Sequence, residues 1–365
     1  MDGSLDRDNH TDSLPKMIKT LPPDVFKKKP LRAYYFLIEG YFLSLLTAAL
    51  IIYLNSWVAG IGLGVLLGFF LGGLFVVGHD CGHRSFSSSE RVNNLIGHMT
   101  TSLVCWPFHL WRMDHDTHHR FTGHLDKDTA WRPITYGLWK RLPWFNRLVY
   151  LGTRIFFFMG SFYTTYSQIR DAIKLISANK YHDEQKKQVL TSLLVTAGCM
   201  LTYGFITFWA GGLLGFICAF LIPQIVFQCL LSTFTYFHHT HPDILFMNKK
   251  EWKPEVAQLT RTIHVRYPFW VEYFVRDINW HVPHHICVGI PHYHLRQAFE
   301  SLKKRYPDHV NEVSFGFSLI HKVTTQCHFI RSKIFGYPTW VSYQDAVSLE
   351  REKKTTKAKA RELST

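Results

Sequence analysis

Two stretches without a single basic residue constrain this chain most. Residues 33–83 and 188–248 contain no Lys or Arg, although the 365-residue chain carries 41 of them. Apolar runs fill both gaps, at about 35–54 and 57–78 in the first and about 189–209 and 213–233 in the second. Each run is close to the ~20 residues that a helix needs to cross a hydrocarbon core. Buried helices of soluble proteins are usually shorter and keep a polar stripe. The runs therefore read as four transmembrane helices.

The links 55–56 and 210–212 are short and uncharged, so each pair reads as a helical hairpin. Every Lys and Arg falls in the N-terminal, middle or C-terminal segment. The positive-inside rule then puts both termini and the middle segment in the cytoplasm. Residues 1–32 lack the apolar core of a secretory signal and read as a cytosolic arm. In that arm Lys27, Lys28 and Lys29 act as an orientation signal before the first span. Residues 33–343 read as one membrane domain and 344–365 as a charged tail that frays from a helix end.

Two further aromatic stretches, 92–111 and 138–163, are interrupted by Pro, His or basic residues. They read as interfacial helices with Trp106, Trp111, Trp139 and Trp144 at headgroup depth. The expected fold is thus an all-α, multi-pass integral membrane protein with a cytosolic helical cap. The seven cysteines form no CxxC pair and read as free thiols. Gly60, Gly62, Gly64 and Gly68 lie inside a span at the wrong spacing for a nucleotide loop, so they read as helix-packing positions. The net charge of +14 is mainly topological, and suits anionic lipid heads or an acidic protein partner. Nothing in it resembles a nucleic-acid binding motif.

Chemistry enters with the histidines. His79 and His83 follow the second span at HxxxH spacing. His115, His118 and His119 read HxxHH, as do His281, His284 and His285. On a helix each set shares one face, and Pro283 suits the first turn of such a helix. Closed structural zinc sites take four ligands and favour Cys. Eight imidazoles are enough for two metal ions with positions left open for oxygen, and their number does not choose between iron and copper. A ninth imidazole is available at 238–241, after the fourth run; His239 is preferred there over His238 and His241. Asp80, Asp114 and Asp116 stand beside the boxes as candidate acceptors for imidazole N–H groups, with Asp277 and Asn279 in the same position before the third box. His264, His292 and His294 read as weaker ligand candidates. His98, His109 and His124 read as interfacial or internally satisfied.

The words around these histidines carry a resemblance. Residues 78–86 (GHDCGHRSF), 237–240 (FHHT), 277–285 (DINWHVPHH) and 290–296 (IPHYHLR) resemble the membrane-bound fatty acyl desaturases. Within them the chain is most similar to the acyl-lipid omega-6 (Δ12) desaturases of cyanobacteria and plastids, over about 30–343. The resemblance implies a non-haem di-iron centre, O2 as co-substrate, and insertion of a cis double bond into a lipid-linked acyl chain, oleoyl to linoleoyl. It implies His79, His83, His115, His118, His119, His281, His284 and His285 as iron ligands that carry catalysis, with His239 as the additional metal ligand. An unactivated methylene is inert to acid–base chemistry, so a metal–oxygen oxidant is required. No nicotinamide, flavin or fused haem motif is found, so electrons must come from a separate carrier. The resemblance implies ferredoxin, with cytochrome b5 as the alternative.

Two other readings compete. An omega-3 or other-position desaturase, hydroxylase or acetylenase would share the same boxes. A histidine-rich transport or metal-binding protein would hold its site near the bilayer midplane, whereas these boxes lie outside the apolar runs.

Overall fold

The computed structural model describes residues 12–178, 181–331 and 338–362; residues 1–11 of the expected arm and 363–365 of the tail lie outside them. The chain is mostly helical. Helix α1 (Leu14–Thr20) precedes two long helices, α2 (Pro30–Leu54) and α3 (Trp57–Gly82). Pro30 opens α2 at a position where its missing N–H costs nothing. Asn55 ends it in the left-handed region, at φ 44°, and turns the chain directly into α3.

Past α3 the stretch 92–111 is not one helix. α4 (Glu90–Thr101) and α5 (Phe108–Phe121) are separated by a short turn in which Cys105 is left-handed, at φ 62°. Pro107 follows that turn and caps α5. The stretch 138–163 is likewise divided, into α6 (Tyr136–Arg141), α7 (Trp144–Ile155) and the start of α8 (Gly160–Ser177). Pro143 breaks the first junction and a non-helical Phe156 the second.

Among the described residues, three helical stretches are long and apolar enough to cross a membrane: α2, α3 and the 57 residues Asp183–His239. The last contains α9 (Asp183–Gly215), a π-helical turn Phe216–Leu221, and α10 (Ile222–His239). Gly212 leaves helical geometry inside it, at φ 58° and ψ −149°. The Tyr203 hydroxyl donates to the Ala219 carbonyl at 2.5 Å, and the Tyr203 and Phe220 rings meet at 5.2 Å. The residues on either side of Gly212 therefore lie side by side. The turn needs one residue of special geometry, Gly212, which lies within the link expected at 210–212.

Glycines set how closely α3 meets this second unit. A Cβ at Gly64 would stand 2.4 Å from the Cys218 carbonyl oxygen, one at Gly68 2.5 Å from Val226, and one at Gly60 3.0 Å from the Cys218 sulfur. These three positions, four apart, pack helix on helix. Gly62, expected with them, faces open space.

The remaining elements are α11 (Pro254–Thr260), β1 (His264–Arg266), α12 (Phe269–Phe274), α13 (His281–Ile286), α14 (Leu295–Arg305), β2 (Glu312–Ser314), α15 (Phe317–Gln326), β3 (Phe329–Arg331), β4 (Thr339–Val341) and α16 (Tyr343–Glu362). The all-α expectation is corrected here. β1 pairs parallel with β2, and β3 antiparallel with β4. Each pairing spans three residues, too few to leave an alternation signal in the sequence. The charged tail expected to fray is helical through Glu362. The arm is packed rather than free: Met17, Leu21 and Val25 are buried with Leu259, Trp280, Phe299 and Leu302.

Candidate metal centre

Four separate pieces of chain bring nine imidazoles together. His79 lies on the last turn of α3, and His83 caps that helix one turn later. His115, His118 and His119 share a face of α5. His239 is the last residue of α10, and His281, His284 and His285 come from the short helix α13.

They form two groups. In the first, one ligand atom each from His79, His83, His115, His119 and His284 lie within 4.8 Å of one another. The His115 Nε2 atom is 3.0 Å from His79 Nε2 and 3.1 Å from His119 Nε2. In the second, His118, His239 and His285 satisfy the same limit. The His118 Nε2 atom is 3.2 Å from His239 Nε2, which is 2.9 Å from His281 Nε2. The latter is in turn 2.9 Å from His285 Nε2. His281 thus joins the second group through His239 and His285.

These distances fit a pair of cations. Two nitrogens bound at right angles to one cation, at ~2.1 Å each, lie about 3.0 Å apart. Hydrogen bonding alone serves the arrangement poorly. His239 and His281 each turn one nitrogen toward two neighbours, and a neutral imidazole has one N–H and one lone pair. Several ring nitrogens are buried with no hydrogen-bond partner, among them His83 Nε2, His284 Nε2 and His281 Nδ1. Burial, reinforced by the neighbouring imidazoles, pushes His115, His119, His281, His284 and His285 well below the usual histidine range. His83 is pushed the same way, by burial first. The rings are therefore neutral, as metal ligands must be.

Outer groups fix the rings. The His118 Nδ1–H donates to the Asp128 carboxylate at 2.7 Å. His285 Nδ1–H donates to Gln258 Oε1 at 3.0 Å, with the Thr122 hydroxyl 3.1 Å away. In both, the bond to Nδ1 leaves the Nε2 lone pair facing the cluster. The Asp80 carboxylate accepts from His292 Nδ1 at 2.8 Å and from the His292 backbone N–H at 3.0 Å. It thereby ties the first box to the segment after α13, and stands 4.0 Å from His79 Nδ1.

Other expectations fare differently. The Asp114 carboxylate accepts from Gln168, and its backbone carbonyl from the Thr129 hydroxyl, rather than from a box histidine. Asp116 is half-buried among the guanidinium groups of Arg112, Arg84 and Arg120. The Asn279 side-chain amide donates to Glu272 and to the Val265 carbonyl, and its backbone carbonyl meets His264, so it braces the loop before α13 without meeting a box histidine. His238 stacks on His281 at 4.2 Å, and His241 faces Asp243. His264, buried, stacks on Trp280 at 3.9 Å. His109 is not internally satisfied: its Nδ1 is buried without a partner. Sequence reasoning missed Asp128 and Gln258. Both stand away from the boxes, Asp128 in a loop and Gln258 on α11, and no periodicity links them to the histidines.

Comparison with known proteins agrees with this geometry. The family model for "Fatty acid desaturase" matches residues 55–317. The chain is 36% identical over 314 residues to an sn-1 oleoyl-lipid 12-desaturase of Picosynechococcus sp., covering 86% of this chain and 88% of that protein. It is 36% identical over 337 residues to an enzyme of the same name from Synechocystis sp., covering 90% and 92%. It is 32% identical over 318 residues to a chloroplastic omega-6 fatty acid desaturase of Glycine max, covering 86% and 73%.

Proposed function

Because the chain belongs to the fatty acid desaturase family, we propose that it is an acyl-lipid Δ12 desaturase that converts lipid-linked oleoyl to linoleoyl chains. The observation that carries the chemistry is the convergence of nine imidazoles into two groups. The position of the double bond follows the relatives, which are named as oleoyl-lipid 12-desaturases and omega-6 desaturases.

In this reading His79, His83, His115, His119 and His284 hold one iron, and His118, His239, His281 and His285 hold the other. The irons supply the O2-derived oxidant that an unactivated C–H bond requires. The protein's part is to keep the imidazoles neutral and oriented. Asp128 and Gln258 do this from the far side of His118 and His285.

The membrane arrangement extends the same reading. α2 and α3 form one hairpin. α9 and α10, which lie side by side across Gly212, form the other and make four spans. All nine imidazoles then lie at one membrane face, with both termini, in the cytoplasm. Residues 33–343 form the membrane domain between the arm and the tail. α7 carries Trp144, Phe145 and Leu148 exposed, which supports an interfacial position for it. Electrons come from ferredoxin.

Metal analysis of the purified full-length protein tests the centre. Two irons per chain are expected, falling when His118 or His284 is replaced by Ala. Fewer than one iron per chain in an active preparation, or no change on losing both histidines, would refute it.

A further inference from the structure

We propose that an acidic one-electron carrier docks on the surface formed by α14, β1 and the N-terminal arm, and that electrons enter through His264 and Trp280. The proposal rests on the di-iron reading. Desaturation takes two hydrogens from the acyl chain and reduces O2 to two waters. The balance needs two electrons and two protons from outside, so the centre must be reachable by an external electron carrier.

Trp280 immediately precedes His281, whose Nε2 belongs to the second histidine group. The Trp280 ring stacks on the His264 ring at 3.9 Å and 16°. The Phe299 ring covers both, at 5.0 Å from Trp280 and 4.6 Å from His264. His264 is fully buried, and its Nδ1 is held by the Asn279 carbonyl at 2.8 Å. Its Nε2 has no hydrogen-bond partner and points toward Glu312, 3.9 Å away. Glu312 reaches the surface, where Arg266 and Lys303 bind it. Arg296, paired with Glu272, lies over the Trp280 ring, 4.9 Å from its centroid. The stacked His264 and Trp280 rings thus lie between this cationic surface and the cluster, and Trp280 connects to His281 through the backbone.

The surface has the sign for an acidic partner. α14 contributes Arg296, Lys303, Lys304 and Arg305 against one acid, Glu300. α1 packs beside it, and the arm adds exposed Lys19 and Lys29, together with Lys16 and Lys27, which pair with Asp12 and Asp24. Opposite charges steer such encounters and set their salt dependence.

The test uses the full-length protein in nanodiscs and a plant-type [2Fe–2S] ferredoxin as the probe. Arg266→Gln/Lys304→Gln neutralises two exposed cations and leaves Lys303 on Glu312. The variant is expected to bind oxidised ferredoxin roughly tenfold more weakly at low salt, and to keep desaturation driven by dithionite and a small mediator. Trp280→Leu is expected to keep the ferredoxin affinity and to slow reoxidation of reduced ferredoxin; Trp280→Phe should restore much of that rate. Unchanged affinity in the double variant would overturn the docking site. Unchanged reoxidation in Trp280→Leu would overturn the route. If dithionite drives no desaturation in the wild type, the enzyme reading fails, while the affinity measurement still decides the docking surface.

Discussion

His118 and Asp128 are joined by a 2.7 Å hydrogen bond from the ring Nδ1 to a carboxylate that also accepts from two backbone N–H groups, those of Gly123 and Ala130. The same carboxylate therefore shapes the 123–130 turn and aims the His118 Nε2 at His239. Removing a group that orients a metal ligand typically costs about 10–100-fold in metal affinity or activity. Asp128→Ala is expected to lose iron at that scale when titrated with a chelator. Asp128→Asn, which keeps an acceptor oxygen, should lose less. Equal iron retention in wild type and Asp128→Ala would show that the bond is only structural.

A buried ion pair holds the segment before the third box. Arg276 Nη1 donates to Glu39 Oε2 at 2.6 Å, and both side chains are buried or nearly so. The Tyr273 hydroxyl donates to the other Glu39 oxygen at 2.7 Å. Arg276 and Asp277 are both left-handed, at φ 54° and 57°, a conformation that is costly for residues with a side chain. Glu39→Leu leaves a buried guanidinium without its counter-charge, which costs roughly 3 kcal/mol. Thermal unfolding in detergent should show that loss. The double variant Glu39→Leu/Arg276→Met should be less destabilised than Glu39→Leu alone.

Close approach at the first box gives a steric test. A Cβ at Gly78 would stand 2.3 Å from the Thr100 hydroxyl oxygen and 2.8 Å from the Thr101 methyl. Gly78→Ala must therefore push α3 from α4 one residue before His79. Both iron content and thermal stability should fall. Gly62→Ala, on the same helix with nothing within 4 Å, should leave both unchanged.

Most of the helical frame was legible because its signal is redundant. Over 33–82 and 188–239, length, hydropathy and the lack of Lys and Arg all agree. The boxes were legible because i, i+3, i+4 spacing puts ligands on one face whatever the tertiary fold. Residues that act across the fold left no such trace. Asp128 meets His118 through a turn, Gln258 meets His285 from another helix, and Arg276 meets Glu39 across more than two hundred residues. The breaks at Cys105 and Phe156 were illegible for a related reason. Neither residue is a conventional breaker; the left-handed turn at Cys105 and the non-helical Phe156 are visible only in the folded chain.

His109 gives a pH signature outside the cluster. Its pKa is pushed down to about 3, by burial first and then by the nearby Arg112 charge. The unfolded chain therefore takes up a proton near the ordinary value of ~6.5, and the folded one only near 3. The unfolded state binds more protons in this window, so stability is complete above about pH 6.5 and declines as pH falls toward 3. His109→Phe should unfold less steeply with acid than wild type over that window. A parallel acid response in the two proteins would count against the assignment.

The central claim is settled most directly by the lipids of a host that contains oleate but no linoleate and supplies reduced ferredoxin. Gas chromatography–mass spectrometry should find a new diene with its second double bond at carbon 12 in cells expressing the wild type. It should find none in cells expressing equal amounts of membrane-inserted His118→Ala. A new double bond at another carbon, a hydroxylated chain, or full product from His118→Ala would contradict the account.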